Sequence, residues 1–164
     1  MKGGEAVGQQ MRFPAEAVVE RYAGAVYRLA YSMVRSKSDA DDIFQEVFLR
    51  YVRKQPAFES EEHERAWFIR VTVNACKTRL RSPWRRKTAP LLESYPARDR
   101  EEQGALEATL SLPPKERAVV HLHYYEGYKT AEIAAMTGEA EGTIRSRLSR
   151  ARTRLKTMLK EEEW

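Results

Sequence analysis

Six basic residues are concentrated between Glu141 and Lys156, near the end of the chain. Apolar residues recur in the same stretch at every third or fourth position and predict one buried side of a helix. They are Ile144, Leu148, Ala151, Leu155 and Met158. Most of the remaining circumference is basic, through Arg145, Arg147, Arg150, Arg152, Arg154 and Lys156. Such a helix suits the phosphates of a nucleic-acid duplex, so the stretch is predicted to bind DNA rather than to be an ordinary solvated helix.

The residues just before this basic helix predict a second, shorter helix. Thr130 is a candidate N-cap for a helix that includes Ile133 and Ala134, and Gly138 allows a tight turn after it. Two helices joined by a glycine turn, the second of them basic, are typical of a helix-turn-helix. The second helix of that motif enters the major groove of DNA.

Another group of candidate DNA-binding residues lies on a helix predicted from about Glu62 to Arg81. Arg70, Asn74, Lys77 and Arg81 are four, three and four residues apart, which places them along one side of that helix. Arginine and lysine bind phosphates, and asparagine can read a base edge. The alternative is an ordinary solvated face, which the regular spacing disfavours.

Three aromatic residues lie just before this stripe in the chain: Phe58, Trp67 and Phe68. Rings beside a basic helix can stack on unpaired bases, as in proteins that bind single strands. Core packing is the more usual role of large rings, and it is favoured for Trp67 and Phe68 taken singly.

An acidic cluster opens an earlier predicted helix, with Asp39, Asp41 and Asp42 in its first turn and Ser38 as a candidate N-cap. Paired carboxylates suggest metal binding or acid–base chemistry. No histidine or further acidic residue nearby completes such a site. The cluster is therefore interpreted as a helix start and as an acidic surface that docks on a basic protein partner.

The remaining reactive side chains give no argument for catalysis. His63, His121 and His123 do not have metal-ligand spacing, and Cys76 falls on the apolar stripe of its helix. The sequence contains no glycine-rich phosphate loop and no nucleophile elbow. The prediction is that the chain is not an enzyme and binds no metal and no cofactor.

The totals favour an intracellular DNA-binding protein. The 164 residues include 29 basic and 24 acidic ones, a net charge of +5 that is segregated along the chain. A single cysteine excludes an internal disulfide and fits a reducing compartment. No apolar run is long enough to span a bilayer, and the first residues lack the apolar segment of a signal peptide. A cytoplasmic location without direct membrane insertion is expected.

Periodicity predicts an all-α fold of two small helical domains joined by a flexible linker. The expected divisions are a disordered tail over residues 1–13, a first domain over 14–82, a linker over 83–103 and a second domain over 104–160. Pro14 is the expected start of the first helix. In the second domain, Ala118, Leu122 and Tyr125 are predicted to form one core face.

At this point several blocks of the sequence resemble bacterial RNA polymerase sigma factors. Residues 39–48 (DADDIFQEVF) resemble region 2.2, and residues 66–71 (AWFIRV) followed by Asn74 resemble regions 2.3 and 2.4. Three further blocks resemble region 4: residues 112–117 (LPPKER), 132–134 (EIA) and 142–148 (GTIRSRL). The two-domain size is similar to that of the extracytoplasmic-function (ECF) group.

The resemblance implies three sets of contact residues. Docking on the coiled coil of the largest polymerase subunit would involve Asp41, Asp42, Gln45, Glu46 and Leu49. Binding and opening of the promoter −10 element would involve Phe58, Trp67, Arg70, Asn74, Lys77, Thr78 and Arg81. Major-groove binding at the −35 element would involve Thr130, Thr143, Arg145, Ser146, Arg147, Ser149 and Arg150.

The resemblance also implies partners and a path for the chain. The second domain would contact the flap region of core polymerase, and the linker would run toward the RNA path. The loop around Phe58 to Arg65 would hold an extruded base, and an anti-sigma factor would keep the chain inactive. One departure from the family pattern is Ala140, where serine or threonine usually caps the recognition helix. The loss of that cap costs about 1 kcal/mol.

Two other functions compete with this one. A stand-alone helix-turn-helix regulator that binds duplex DNA as a dimer would explain residues 104–160, but not the acidic helix or the aromatic residues beside the stripe. A DNA-processing enzyme with a C-terminal binding domain would need a catalytic constellation, and the sequence offers none.

Overall fold

The computed structural model describes the backbone of residues 2–82 and 107–162 and the side chains of residues 15–82 and 107–160. Every regular element in these ranges is helical, which confirms the predicted all-α fold. The first domain contains α1 (Lys2–Val34), α2 (Lys37–Lys54) and α3 (Glu61–Arg81). The second contains α4 (Pro114–Val120), a π-helix (His121–Tyr125), α5 (Thr130–Thr137) and α6 (Glu141–Glu162), preceded by one helical turn over residues 107–110. None of the described helices has the length and apolar character needed to cross a bilayer.

The start of α1 differs from the prediction. The helical backbone begins at Lys2, where a disordered tail over residues 1–13 and a start near Pro14 were expected. Proline removes one backbone hydrogen bond from a helix, so it favours a start at its position without enforcing one. Among the residues whose side chains the structure describes, from 15 onward, the first buried one is Val18.

The first domain closes around the apolar faces of its three helices. Met33, Ile43 and Phe68 are fully buried at its centre, and the Phe68 ring stacks on Tyr22 with 4.5 Å between ring centroids. Cys76 is buried in the same core, as the sequence predicted. Burial of these side chains is the main source of the domain's stability, at about 25 cal/mol per Å² of apolar surface.

Serine residues cap two of these helices. Ser36, not the predicted Ser38, is the N-cap of α2, and its hydroxyl accepts a hydrogen bond from the Asp39 amide at 3.3 Å. Two serines two residues apart are equal candidates in sequence, and only the backbone geometry distinguishes them. Ser60 caps α3 in the same way, accepting from the His63 amide at 3.1 Å.

The second domain packs α4, α5 and α6 around Leu122, Ile133, Ile144 and Leu148. Gly138 ends α5 with a φ of 74°, a left-handed conformation that favours glycine and turns the chain into α6. The helix-turn-helix predicted from the sequence is therefore present.

The predicted cap of α5 was wrong by one residue. Lys129 is the N-cap, and its amide donates to the Glu132 carboxylate at 3.0 Å, as in a capping box. Thr130 is the first helical residue, and its hydroxyl donates instead to Glu141 at 3.2 Å.

The predicted core face Ala118–Leu122–Tyr125 was wrong at its last member. Ala118 and Leu122 are buried, whereas Tyr125 is exposed. The cause is the π-helix, in which the Glu126 amide donates to the His121 carbonyl at 3.0 Å, five residues earlier. This wider turn changes the phase of the helix, so a periodicity of 3.6 residues fails there.

The two domains pack against each other, with α4 on α1 and α5 on α3. Arg117 is buried at the first contact, where its guanidinium donates to the Ser32 carbonyl at 2.7 Å and also to the Met33 carbonyl. These two carbonyls belong to the last turn of α1, whose acceptors have no partner within the helix. The predicted linker lies outside the described residues.

Candidate polymerase and DNA interfaces

The predicted docking residues share one side of α2. We call Asp41, Asp42, Gln45, Glu46 and Leu49 the docking patch. All five are exposed, and Leu49 is 51% exposed although it is a large apolar side chain. Asp42 is the member held most firmly, because its carboxylate pairs with Arg79 of α3 at 2.7 Å. Arg79 also pairs with Asp39 at 2.8 Å, so Asp39 serves the fold of the domain.

The three aromatic residues near the start of α3 have different environments. Phe68 is core, in agreement with the packing interpretation. Trp67 is half-buried, with its ring 6.0 Å from Phe58 and 6.1 Å from Tyr51. Phe58 is half-buried in the loop that joins α2 to α3. This loop ends at Ser60, so Glu61 to Arg65 are helical and not part of the predicted loop.

The α3 stripe, Arg70, Asn74, Lys77 and Arg81, is divided between solvent and the second domain. Asn74 and Arg81 are exposed. The neighbouring Thr78 is also exposed, and its hydroxyl donates to the Asn74 carbonyl at 3.0 Å. The other two members have polar partners in the second domain, although Arg70 is itself exposed.

Arg70 is the first of these two. Its guanidinium donates to the Ala135 and Met136 carbonyls, each at 3.2 Å. Both carbonyls lie in the last turn of α5, where acceptors lack helical partners and a cation is favoured by the helix dipole. Arg70 thus caps a helix of the other domain.

Lys77 is the second, and it shares an acidic partner with the recognition helix. Glu139 lies in the turn between α5 and α6, 3.8 Å from the Lys77 ammonium and 2.6 Å from Arg147. The hydrogen bond from Arg147 lowers the pKa of the Glu139 carboxyl, and the nearby Lys77 charge adds to this effect. The side chain of Arg147 is only 12% exposed, which places this predicted −35 contact inside the domain junction.

A second ionic contact across the junction centres on Glu126. Its carboxylate lies 3.1 Å from Arg28 of α1 and 3.1 Å from the buried His121 ring. The hydrogen bond from His121, together with the one from Arg28, lowers the pKa of Glu126 to about 2. The ionised carboxylate therefore stabilises the folded, closed arrangement.

This pKa predicts an acid-sensitive contribution to stability. The folded-state pKa of about 2 lies below the ordinary value of 4.5. The Glu126 carboxylate therefore makes its full contribution to the free energy of unfolding above pH 4.5, and this contribution is lost as the pH falls toward 2. Between pH 5 and pH 3, the wild-type melting temperature should fall more than that of Glu126→Gln. The exposed Glu107 provides the control, Glu107→Gln, which should follow the wild type. Parallel wild-type and Glu126→Gln curves would contradict the assignment.

The recognition helix α6 presents an exposed polar side formed by Arg145, Ser146, Ser149 and Arg150. Thr143 is half-buried on its first turn. Arg145 pairs with Glu141 one turn earlier at 2.7 Å, an exposed ion pair that DNA phosphates can displace at little cost. Glu141 also accepts from Thr130, so the start of α6 is tied to the start of α5.

The start of α6 has no side-chain cap from Ala140. The Ala140 carbonyl accepts hydrogen bonds from the Thr143 and Ile144 amides at 3.0 and 3.2 Å. Glu141, in the first turn, places a negative charge near the positive end of the helix dipole. The departure from the family pattern is thus accommodated by the backbone and by this carboxylate.

Sequence reasoning missed the charged residues that join helices to one another. Glu116, Arg117, Glu126 and Glu139 all pair across elements. Nothing in their local sequence distinguishes them from solvated surface charges, since each has a partner on another helix. Among the described residues, no group of three or more potential ligand side chains is placed to hold a metal ion.

Comparison with known proteins covers both domains. The family model for Sigma-70 region 2 matches residues 18–86, and that for Sigma-70, region 4 matches residues 103–155. The ECF RNA polymerase sigma factor SigM of Mycobacterium tuberculosis is 37% identical over 153 residues, which are 90% of this chain and 78% of SigM. The chain belongs to the ECF sigma factors. It is a transcription initiation factor, and the resemblance seen in its sequence is confirmed.

Other members of the family and solved structures agree with this. The ECF sigma factor SigE of Mycolicibacterium smegmatis is 36% identical over 94% of this chain and 65% of its own. The sigma factor RpoE of Bartonella quintana, solved with the anti-sigma factor NepR, has a TM-score of 0.74 at 25% identity, covering 93% of this chain and 98% of RpoE. CnrH, solved with the cytosolic domain of CnrY, shares the fold with a TM-score of 0.66 at 23% identity, over 90% of this chain and 88% of CnrH.

The family assignment decides between the functions that the sequence left open. A stand-alone helix-turn-helix regulator would leave the match over residues 18–86 unexplained and is not favoured. In this ECF sigma factor, the first domain corresponds to region 2 and the second to region 4.

Proposed function

We propose that this sigma factor binds core RNA polymerase through the docking patch on α2, specifically the coiled coil of the largest subunit. The observation that supports this most is the exposure of all five patch residues on one side of one helix, with the apolar Leu49 among them. An exposed leucine surrounded by polar groups is typical of the centre of an interface with a polar rim. A pull-down of core polymerase with the purified chain tests the proposal.

The promoter contacts follow from the exposed parts of α3 and α6. Asn74, Thr78 and Arg81 are proposed to meet the −10 element, with Phe58 and Trp67 at the aromatic end of that surface. In region 4, Ser146, Ser149 and Arg150 are proposed to read the −35 element, with Arg145 and Thr143 at the N-terminal end of the helix and Thr130 close by. Phosphate contacts by arginine would add sequence-independent affinity.

Because α5 covers part of the α3 stripe, we propose that the two domains separate when the chain binds promoter DNA. Arg70 and Lys77 are held by the Ala135 carbonyl, the Met136 carbonyl and Glu139, and Arg147 shares the last of these. Separation would release Arg70 and Lys77 to join the −10 surface, whereas Arg147 would keep its pairing with Glu139, which lies in its own domain. The closed arrangement is thus the state that polymerase or DNA must displace.

The proposed partners extend beyond polymerase and promoter. Region 4 would bind the polymerase flap region, and an anti-sigma factor would regulate the chain, as NepR is found with RpoE. No reaction of its own is assigned to the chain, since it directs the chemistry of the polymerase. Its place of action would be the cytoplasm, with the polymerase and the promoter.

Phe58 provides a test of the strand-opening role. Phe58→Ala should leave the initial binding of the promoter duplex intact and shift the opening equilibrium by roughly tenfold, since stacking on one base contributes about 1–3 kcal/mol. Permanganate reactivity of thymines in the −10 element measures opening.

A template that is already unpaired over the −10 element should restore initiation by Phe58→Ala, because it removes the unstacking cost of a few kcal/mol. The exposed Glu62, in the first turn of α3, provides the control Glu62→Gln, which should open the duplex normally. Normal opening by Phe58→Ala on duplex template would remove Phe58 from the opening surface.

A further inference from the structure

Glu116 is a charged residue in an unusual position. It lies in the first turn of α4 and is only 5% exposed. A carboxylate that is removed from water requires a cation or hydrogen bonds to offset the lost hydration. Its Oε2 atom is buried without a hydrogen bond. The charge of Glu116 must therefore be offset by nearby cations.

Two arginines of the recognition helix approach this carboxylate from the same side. Arg154 Nε lies 3.4 Å from Oε2, and Arg150 Nε lies 3.8 Å from Oε1. Among the residues that the structure describes, Glu116 is the only acidic residue within ion-pair distance of either arginine. Because Arg150 and Arg154 are four residues apart, they are neighbours on one side of α6. A single buried charge is thus shared by two cations.

The outer parts of these arginines remain accessible. Their side chains are 60% and 51% exposed, whereas the Glu116 side chain is 7% exposed. The nitrogen nearest the carboxylate is Nε in both residues, which leaves the terminal nitrogens of each guanidinium for another acceptor. Guanidinium is a planar group with five donors in a fixed arrangement, so fixing one edge also orients the other.

We propose that Glu116 is a positioning residue for DNA recognition, which holds Arg150 and Arg154 so that their terminal nitrogens face the major groove. This inference rests on the proposed role of α6 at the −35 element. It adds a residue outside the helix-turn-helix that has no contact with DNA of its own. Arginine has a large rotamer entropy, and holding it before binding reduces the cost of ordering it on DNA.

The negative charge has a second consequence. It lies beneath the DNA-binding side of α6 and reduces the attraction of that surface for any phosphate. Removing the charge should therefore raise the affinity for unrelated DNA while it lowers the advantage of the correct sequence. A residue that only packed α4 on α6 would lower the two affinities together, because the whole helix would shift. The two roles predict opposite results for unrelated DNA.

The test uses holoenzyme assembled from the full chain and bacterial core polymerase. The probes are a duplex recovered by selection from a random library with wild-type holoenzyme, and a shuffled duplex of the same composition. Glu116→Gln should reduce the ratio of the two affinities at least about fivefold, the lower end of the cost of losing one arginine base contact. Binding to the shuffled duplex should be tighter, and its salt slope should steepen by about one.

Two further variants make the test independent of folding. Glu116→Met suits a buried site without a charge and should show the same loss of preference, with its melting temperature as the check on folding. Glu107→Gln removes one negative charge from an exposed position of the same domain and should keep the wild-type preference. Loss of preference by Glu107→Gln would attribute the effect to net charge and overturn the role of Glu116.

The remaining outcomes are also decisive. A parallel loss of affinity for both duplexes, or wild-type behaviour of Glu116→Gln, would overturn the positioning role and leave the −35 assignment of α6 intact. If Arg150→Ala also kept the wild-type preference for the selected duplex, the proposed role of α6 would be wrong, and the inference about Glu116 with it.

Discussion

The double variant Glu46→Arg, Leu49→Asp should bind core RNA polymerase roughly a hundredfold more weakly than the wild-type chain. Glu46→Arg reverses a charge of the acidic patch, and Leu49→Asp places an unpaired charge where an apolar contact is proposed. A hot-spot residue near the centre of an interface costs about 2 kcal/mol or more when it is altered, a factor of about thirty in affinity, and the effects of neighbouring hot spots are less than additive. Fluorescence anisotropy of a labelled chain titrated with core polymerase measures the dissociation constant.

Both positions are chosen because they are not required for the fold. Leu49 and Glu46 are about half exposed, and the ion pair of Glu46 with Arg50 at 3.3 Å is an exposed pair within one helix. Such a pair contributes only about 0.3–0.5 kcal/mol. Asp42 is avoided because its pairing with Arg79 joins α2 to α3. The helical signal in circular dichroism should therefore be unchanged.

The matched control is Glu20→Arg, a charge reversal at an exposed position of α1 that lies outside the docking patch. It should bind core polymerase with wild-type affinity. If the double variant also kept wild-type affinity, α2 would not be the docking helix, and the polymerase contact would have to be sought on another surface.

A covalent link between Lys77 and Glu139 should abolish promoter opening. Their side chains are 3.8 Å apart, so a carbodiimide can activate the Glu139 carboxyl for attack by the lysine amine, forming an amide with loss of water overall. The link would hold α3 against the turn before α6. The −10 surface would then stay covered, and initiation should fall at least about a hundredfold.

The chemistry of this cross-link provides its own control. Lys77→Arg retains a cation for Glu139, but guanidinium does not form an amide under these conditions. The treated Lys77→Arg chain should remain active, which separates the effect of the link from that of other modified carboxyls. Mass spectrometry identifies the linked peptide. Full initiation by the purified cross-linked wild-type chain would show that the domains need not separate.

Much of the fold follows from local patterns in the sequence. The apolar repeat Ile144, Leu148, Ala151 predicts the buried side of α6, and Gly138 predicts the turn before it, because both depend on residues adjacent in the chain. Cap positions are less certain where several serines or threonines occur together. Ser36 therefore replaced the expected Ser38, whereas at α5 the backbone amide of Lys129 pairs with Glu132 and the expected Thr130 is already helical.

The features that sequence reasoning missed depend on distant partners. Arg70 has the spacing of a DNA-facing residue, yet its guanidinium reaches carbonyls 65 and 66 positions later. From the sequence, Glu116 is indistinguishable from a solvated surface charge. In the structure it is buried, because α6 supplies two arginines that cover it. The π-helix that exposes Tyr125 has no simple periodic signal. The spacing of residues along one helix therefore predicted the candidate surfaces. It did not predict which of their residues contact the other domain.

The central claim is that this chain gives core polymerase its promoter specificity through two separated DNA-binding surfaces. The most direct measurement is transcription by bacterial core polymerase from a library of random promoters, with the start sites read by sequencing. Transcripts should appear that depend on the added chain and share two upstream motifs at a fixed spacing. The Glu46→Arg, Leu49→Asp variant should produce none of them. If no start site depended on the chain, or if the dependent sites shared no paired motifs, the account would be contradicted.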